Sequence, residues 1–253
     1  GKPPVAGGKP PAAEKSPLSA RKETPVDTLE KLWGFEHIMH NVITKKAQNE
    51  MQWLLKDWVD DCCKCPAQRA CCSERCENGG GQIECGGEGY CGNQRMHRNR
   101  VINVDIRASK NGAGCFTLGE VGVGDLVLEY RGEFRRDQQD LKGDNRYTVA
   151  LPIGYLDATR KGNSGRFVNH SCAPNVAFEI WMVRGLYRVG IFALRPIPAG
   201  EELTADYRLN SLDGKAQPCN CGELVCRDSM MAPPQGPAKA KKAPPPKDPP
   251  PPG

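Results

Sequence analysis

Apolar positions along this chain fall into three regimes. From Pro25 to Trp58, Leu29, Leu32, Trp33, Trp53, Leu54 and Trp58 recur at helix-compatible spacings. That pattern predicts a partly helical segment over 28–58, with the tryptophans as packing residues. A glycine- and cysteine-rich stretch with few large apolar residues follows. Beyond residue 100 the pattern shifts to short strands broken by Gly and Pro. Val101–Ile106 alternates, Leu126–Tyr130 is a short apolar strand and Tyr147–Leu151 is another. Ala177–Val183 and Tyr187–Leu194 flank Arg184-Gly185 as the arms of a hairpin. Gly112-Ala113-Gly114 and Gly122-Val123-Gly124 mark tight backbone positions. The expected body is mainly β with irregular connections.

Charge sharpens the boundaries. The 253-residue chain carries a net charge of +5, and the surplus lies at its ends. Residues 1–27 hold five Lys/Arg against three Asp/Glu, residues 229–253 hold four Lys against one Asp, and the body between is formally neutral. The same ends hold sixteen of the 22 prolines. Such segments bury too little apolar surface to offset their ordering entropy, and they read as disordered tails at 1–27 and 230–253. Their basic character suits nucleic acid or acidic surfaces, and a solvated linker is the simpler use. No apolar run approaches the roughly eighteen residues of a membrane span, and the first residues lack a signal-peptide core, so a soluble protein with no membrane partner is expected.

Thirteen cysteines add chemistry because they cluster, eight between Cys62 and Cys91 and three between Cys219 and Cys226. A disulfide framework in a secreted domain is one reading. The odd total, the missing signal and the spacing favour another. Cys63-Lys-Cys65 and Cys219-Asn-Cys221-Gly-Glu-Leu-Val-Cys226 hold thiols too close in sequence to bridge comfortably, yet close enough to grip one ion. Tetrahedral zinc takes four thiolates at about 2.3 Å, which such short loops supply. A segment so poor in large apolar residues would owe its folding to the metal. Cys115 lies outside both clusters and is expected to be a small core residue.

Five runs carry a family resemblance. They are Asn111-Gly-Ala-Gly114, Leu128-Glu-Tyr-Arg-Gly-Glu133, Arg166-Phe-Val-Asn-His-Ser-Cys-Ala-Pro-Asn175, Glu201-Glu-Leu-Thr-Ala-Asp-Tyr207 and Cys219-x-Cys221-x4-Cys226. In this order they resemble the cofactor loop, the following strand, the central signature, the C-terminal catalytic motif and the post-SET zinc motif of the SET-domain family. The resemblance implies a β-clip fold with pseudoknot-like C-terminal threading, S-adenosylmethionine as cofactor and lysine methylation as reaction. Cys63, Cys65, Cys72, Cys76, Cys85 and Cys91, followed by Gly-Asn-Gln-Arg-Met-His-Arg, resemble the AWS (associated-with-SET) module. That module precedes the SET domain in enzymes acting on lysine 36 of histone H3. Between Cys85 and Cys91 the chain is short and lacks one cysteine of the module. One or two zincs are expected there, with Cys62 and Cys71 as further candidate ligands. The implied organisation is a helical segment at 28–58, an AWS-like module at 59–99, a SET domain at 100–210 and a post-SET loop at 211–229.

Roles follow from the resemblance. Methyl transfer requires donor and acceptor held in line away from water. The amine must be neutral, and an apolar channel beside a cationic sulfonium lowers its pKa from about 10.4. Tyr207 matches the catalytic tyrosine, and Tyr147 a second tyrosine of the channel. Asn169 and His170 carry over as cofactor ligands, with Arg166 and Phe167 shaping the same wall. Asn111, Gly112, Ala113, Gly114, Asn145, Arg146, Gln217 and Asn220 complete the expected cofactor site. Cys172 carries over as the fourth thiolate beside Cys219, Cys221 and Cys226, closing a structural zinc site.

Two positions depart from the family. Ala113 stands where related enzymes often carry an aromatic. Ala205 precedes Asp206-Tyr207 where members usually place Phe or Tyr, the residue that limits how many methyl groups fit. The alanine implies room for di- or trimethyllysine, or for an extra water. The leading reading is a nuclear, chromatin-associated histone-lysine N-methyltransferase with the histone H3 tail or nucleosome as partner, or another histone or non-histone lysine as substrate. A catalytically weak SET module serving as a chromatin-binding scaffold competes with it. A secreted disulfide protein is a third reading, which bound zinc would eliminate.

Overall fold

The structure, a computed structural model, describes residues 34–45, 47–49, 76–86, 91–141, 146–208 and 217–231. The tail at 1–27, the second tail beyond Met231, most of the expected helical segment with Trp33, Trp53 and Trp58, and Asn145, Cys62, Cys63, Cys65, Cys71 and Cys72 lie outside the described residues. The strands, in chain order, are β1 (Glu36–His37), β2 (Val104–Ser109), β3 (Gly112–Thr117), β4 (Leu126–Tyr130), β5 (Glu133–Arg135) and β6 (Thr148–Leu151). Then come β7 (Gly154–Asp157), β8 (Lys161–Gly162), β9 (Asn169–His170), β10 (Val176–Val183), β11 (Leu186–Ala193) and β12 (Thr204–Ala205). They form a five-stranded sheet ordered β4-β11-β10-β12-β9, a three-stranded sheet β5-β7-β6, and the pairs β2-β3 and β1-β8. The mainly β body is thus as expected, and no described helix is long and apolar enough to cross a membrane.

The expected hairpin closes as β10–β11 in continuous antiparallel register from Val176↔Ala193 to Val183↔Leu186. Arg184 and Gly185 both take positive φ, 49° and 70°, the backbone that a tight two-residue hairpin turn demands. β4 is buried along its whole length, which suits its nearly continuous apolar run. Its one charge, Glu129, is held by Arg131 Nε at 3.0 Å and by Arg188.

Three boundaries differ from the sequence reading. The strand expected at 101–106 runs over Val104–Ser109, because Ser109 pairs with Gly112 across a two-residue turn. The same pairing makes Gly112-Ala113-Gly114 part of strand β3 rather than a loop. β6 begins at Thr148, and Ala158 N–H donating to Tyr147 O at 2.9 Å carries its pairing with β7 one step further. Within 28–58, Glu36–His37 is a strand paired in parallel with β8, while Gln48 N–H donates to Thr44 O at 2.9 Å in a helical turn.

The C-terminal strand sets the site. β12 lies between β9 and β10, pairing Thr204↔Asn169 and Ala205↔His170 on one side and Ala205↔Val176 on the other. β9 and β10 are joined by residues 171–175, so the chain entering β12 passes across that connection. Asn175 locks the crossing: its Nδ2 donates to Glu202 O at 2.8 Å and its Oδ1 accepts from Thr204 N–H at 2.8 Å. The apolar core beneath joins Tyr130, Phe134, Leu156, Phe167, Val176, Ile191 and Leu203. Cys115 sits in it with no exposure, as expected.

The described part of the cysteine-rich segment packs on the same body. Cys76, Cys85 and Cys91 bury together. Glu84 N–H donates to Met182 O at 2.9 Å, and the buried Glu84 carboxylate accepts from Met96 and His97 N–H at 2.6 and 2.9 Å.

Candidate active site and thiolate cluster

The threading brings Tyr207 against His170. Tyr207 N–H donates to His170 Nδ1 at 3.1 Å, its hydroxyl donates to Val168 O at 2.6 Å, and the rings meet edge-on at 5.3 Å. Burial, and then the neighbouring Tyr147, holds the Tyr207 hydroxyl well above the ordinary tyrosine range, so it stays a phenol. Because His170 Nδ1 accepts, the ring proton of the neutral imidazole sits on Nε2. Nε2 lies 3.5 Å from Cys172 Sγ. Burial lowers the His170 pKa below its usual value against the pull of Asp206, which keeps the ring neutral.

Tyr147 lies half-buried, its ring faced by the Arg166 guanidinium at 4.1 Å. Arg166 also sits over Phe35 at 4.3 Å and Phe167 at 5.4 Å, a cation held largely by aromatic faces. Its Nε and Nη1 are buried without a hydrogen-bond partner among the described residues, and burial lowers its pKa. Phe35, from the segment before the cysteines, was given no role by the sequence reading. Tyr130 was also passed over, although it stands in the quoted Leu128–Glu133 run. Its hydroxyl donates to Tyr147 O at 2.7 Å, and burial, then the nearby Tyr207, keeps it protonated.

Glu202 is a third residue without a role in the sequence reading, and its place inside the Glu201–Tyr207 motif is the available signal. Its carboxylate reaches three segments. Ser109 Oγ lies 2.8 Å from both oxygens, and Asn169 Nδ2 donates to Oε1 at 2.8 Å. The second N–H of Asn169 donates to Ala113 O at 3.1 Å. A Cβ on Gly114 would collide with Glu202 Oε1 and come within 2.8 Å of Ser109 Cβ. Gly114 is therefore glycine because a carboxylate fills the space beside it.

Cys172, Cys219, Cys221 and Cys226 come together as the resemblance implied, with all four sulfurs within 4.8 Å of one another. Cys172 and Cys219 Sγ are 3.8 Å apart. Tetrahedral zinc with bonds of about 2.3 Å separates its sulfurs by about 3.8 Å, so the group fits a closed zinc site. The eight described cysteines are all free thiols. Arg227 N–H points at Cys172 Sγ at 3.4 Å, and Gly222, at φ 77°, backs onto the Lys110 amino group at the tip of the β2–β3 hairpin.

The remaining expected residues surround this core. Asn111, Gly112 and Arg146 are exposed, as are Gln217 and Asn220 on the thiolate loop, while Ala113 is half-buried. A Cβ at Gly112 would meet nothing within 4 Å, leaving an open backbone edge beside Asn169. Ala205 is fully buried within the core that includes Tyr130, Val176 and Leu203. An Asn169 amide with both N–H groups committed, aromatic faces and an open edge fit S-adenosylmethionine, a long ligand with a cation on its sulfur and another on its amino-acid end.

Comparison with known proteins agrees with this geometry. Residues 112–208 match the family model for the SET domain. The chain is 39% identical over 167 residues to a histone-lysine N-methyltransferase, H3 lysine-36 specific, of Mycosarcoma maydis, covering 60% of this chain and 17% of that relative. A Chaetomium globosum protein of the same description is 40% identical over 191 residues, covering 68% of this chain and 20% of its own. The human histone-lysine N-methyltransferase SETD2 is 36% identical over 167 residues, covering 62% of this chain and 6% of its own. The chain thus spans a fifth or less of the length of these relatives.

Proposed function

We propose, from the match of residues 112–208 to the SET-domain family model, that the chain is a protein-lysine N-methyltransferase acting on histone H3, with lysine 36 the favoured site. The observation that carries this reading is the double tether of Tyr207, by backbone to His170 Nδ1 and by hydroxyl to Val168 O, next to Asn169. The names of the relatives supply the substrate; the cysteine-rich segment and nuclear, chromatin-bound work belong to the same proposal.

When bound, S-adenosylmethionine supplies a methyl group on a cationic sulfur, transferred in line to the lysine amine with a thioether as leaving group. Asn169, the backbone at Ala113 and the thiolate loop with Gln217 and Asn220 would hold it. Tyr207 stays a phenol, so its hydroxyl donates to Val168 O and turns lone pairs toward the amine. Tyr147 and Tyr130 give the channel an aromatic lining that excludes water. Exclusion of water favours the neutral amine over the ammonium, which is the form able to attack. Cys172, Cys219, Cys221 and Cys226 would hold one structural zinc, and Cys76, Cys85 and Cys91 contribute to one or two more.

The direct test is incubation of the purified chain with methyl-labelled S-adenosylmethionine and histone H3. Label on lysine supports the proposal. Bound cofactor with no label on any lysine points instead to a SET module that binds chromatin without turnover.

A further inference from the structure

Glu202 is a carboxylate placed where nothing in the methyl-transfer scheme uses it, and its surroundings say what it does. A carboxylate only accepts hydrogen bonds, and so does the Ala113 carbonyl. Asn169 Nδ2 meets both, at 2.8 and 3.1 Å. Reversing that amide would set its oxygen against two acceptors and leave the carboxylate and the carbonyl without their donor. The amide therefore has one orientation, with Oδ1 turned away from Glu202 as an acceptor. Glu202 is itself fixed by Ser109 Oγ at 2.8 Å from each oxygen and by the backbone bridge between its own residue and Phe116. The missing Cβ of Gly114 makes room for it.

We infer that Glu202 is a positioning residue: it aims the Asn169 carboxamide oxygen at the ammonium on the amino-acid end of the cofactor. The inference rests on the methyltransferase reading above. An acceptor oxygen is complementary to an ammonium, whereas the amide's opposite face would repel it. The negative charge of Glu202 behind the amide adds to the attraction, because a carboxylate within a few ångströms polarises the bond it accepts. Glu202 acts through Asn169, so its effect belongs to the part of the ligand that Asn169 meets and not to the adenosine end.

The test is calorimetric binding of two ligands, S-adenosylhomocysteine, which keeps the amino-acid end, and 5′-methylthioadenosine, which lacks it. Wild type, Glu202→Ala and Glu202→Gln are compared. Glu202→Ala is expected to weaken S-adenosylhomocysteine by about tenfold or more while changing 5′-methylthioadenosine by less than about twofold. Glu202→Gln keeps an oxygen that can accept from Ser109 and Asn169 but loses the charge, and should fall between wild type and alanine. It also keeps the shape of the site, so a folding failure of the alanine variant leaves the experiment intact. Equal losses for both ligands, or no loss for either, would overturn the inference. A wild-type chain that binds neither ligand would instead overturn the methyltransferase reading on which it stands.

Discussion

The guanidinium of Arg227 holds both carboxylate oxygens of Asp206, at 2.7 and 2.9 Å. One partner follows Cys226 of the thiolate cluster and the other precedes Tyr207. The pair therefore ties the loop that carries Cys219, Cys221 and Cys226 to the chain just after β12, beside Tyr207. With side chains 31% and 14% exposed, it adds little to stability, about 1 kcal/mol or less. Its value is register. Arg227→Ala is expected to lower the melting temperature by only about 4 °C while slowing methyl transfer about tenfold. Thermal melting and initial rates measured together check this, and an unchanged rate removes the coupling.

Loss of a thiolate should act on the same tyrosine from the metal side. Cys226→Ser removes one of the four sulfurs proposed to hold zinc, which takes four in a closed structural site. Metal analysis of the purified variant should show one zinc fewer per chain than wild type, with methyl transfer reduced in parallel. Full retention of zinc would show that Cys226 is not a ligand.

Ala205 is the last residue of β12 and is fully buried in the core. Replacement by Tyr adds a ring to a filled space and should cost about 1–3 kcal/mol of stability. The same ring narrows the space ahead of Asp206-Tyr207, so the variant is expected to stop at lower methylation than wild type. Mass spectrometry of the product ladder decides it, and an unchanged ladder would separate Ala205 from product specificity.

Cys115 offers a pH signature independent of the metal. Burial first, with Glu202 and Asp105 adding, pushes its thiol up to about 12, against 9.0 for an ordinary one. Its folded value is raised, so its contribution to stability is fully present below pH 9.0 and is lost as pH rises through about 12. Alkylation of the native chain at pH 8 should leave Cys115 unmodified, and unfolding should expose it. Rapid native modification would contradict its place in the core.

The sequence was most legible where local rules suffice. Leu126–Tyr130 reads as a buried strand because its residues are apolar in a row, and the β10–β11 turn is visible in Arg184-Gly185. The grouping of Cys172 with three cysteines some fifty positions away came from resemblance, since no local rule links them. What escaped was long-range. Glu202 lies 93 residues from Ser109 and 33 from Asn169, and a polar side chain whose partners are so distant leaves no periodic trace. Gly114 looked like a loop glycine because its reason for being glycine, the Glu202 carboxylate, comes from a distant segment just before β12. Phe35 was missed for the same cause: its partners Phe167 and Arg166 are reached only after the chain has folded back.

Tyr207, held by His170 and Val168, is proposed to support methyl transfer to histone H3. Intact-mass and peptide mass spectrometry of recombinant nucleosomes, incubated with S-adenosylmethionine and either wild type or Tyr207→Phe, tests it most directly. Methyl groups are expected on lysine 36 of histone H3 with wild type, and their loss, by about a hundredfold or more, with the variant. Equal methylation by both proteins would contradict the role of Tyr207, and no methylation of any histone lysine by wild type would contradict the function itself.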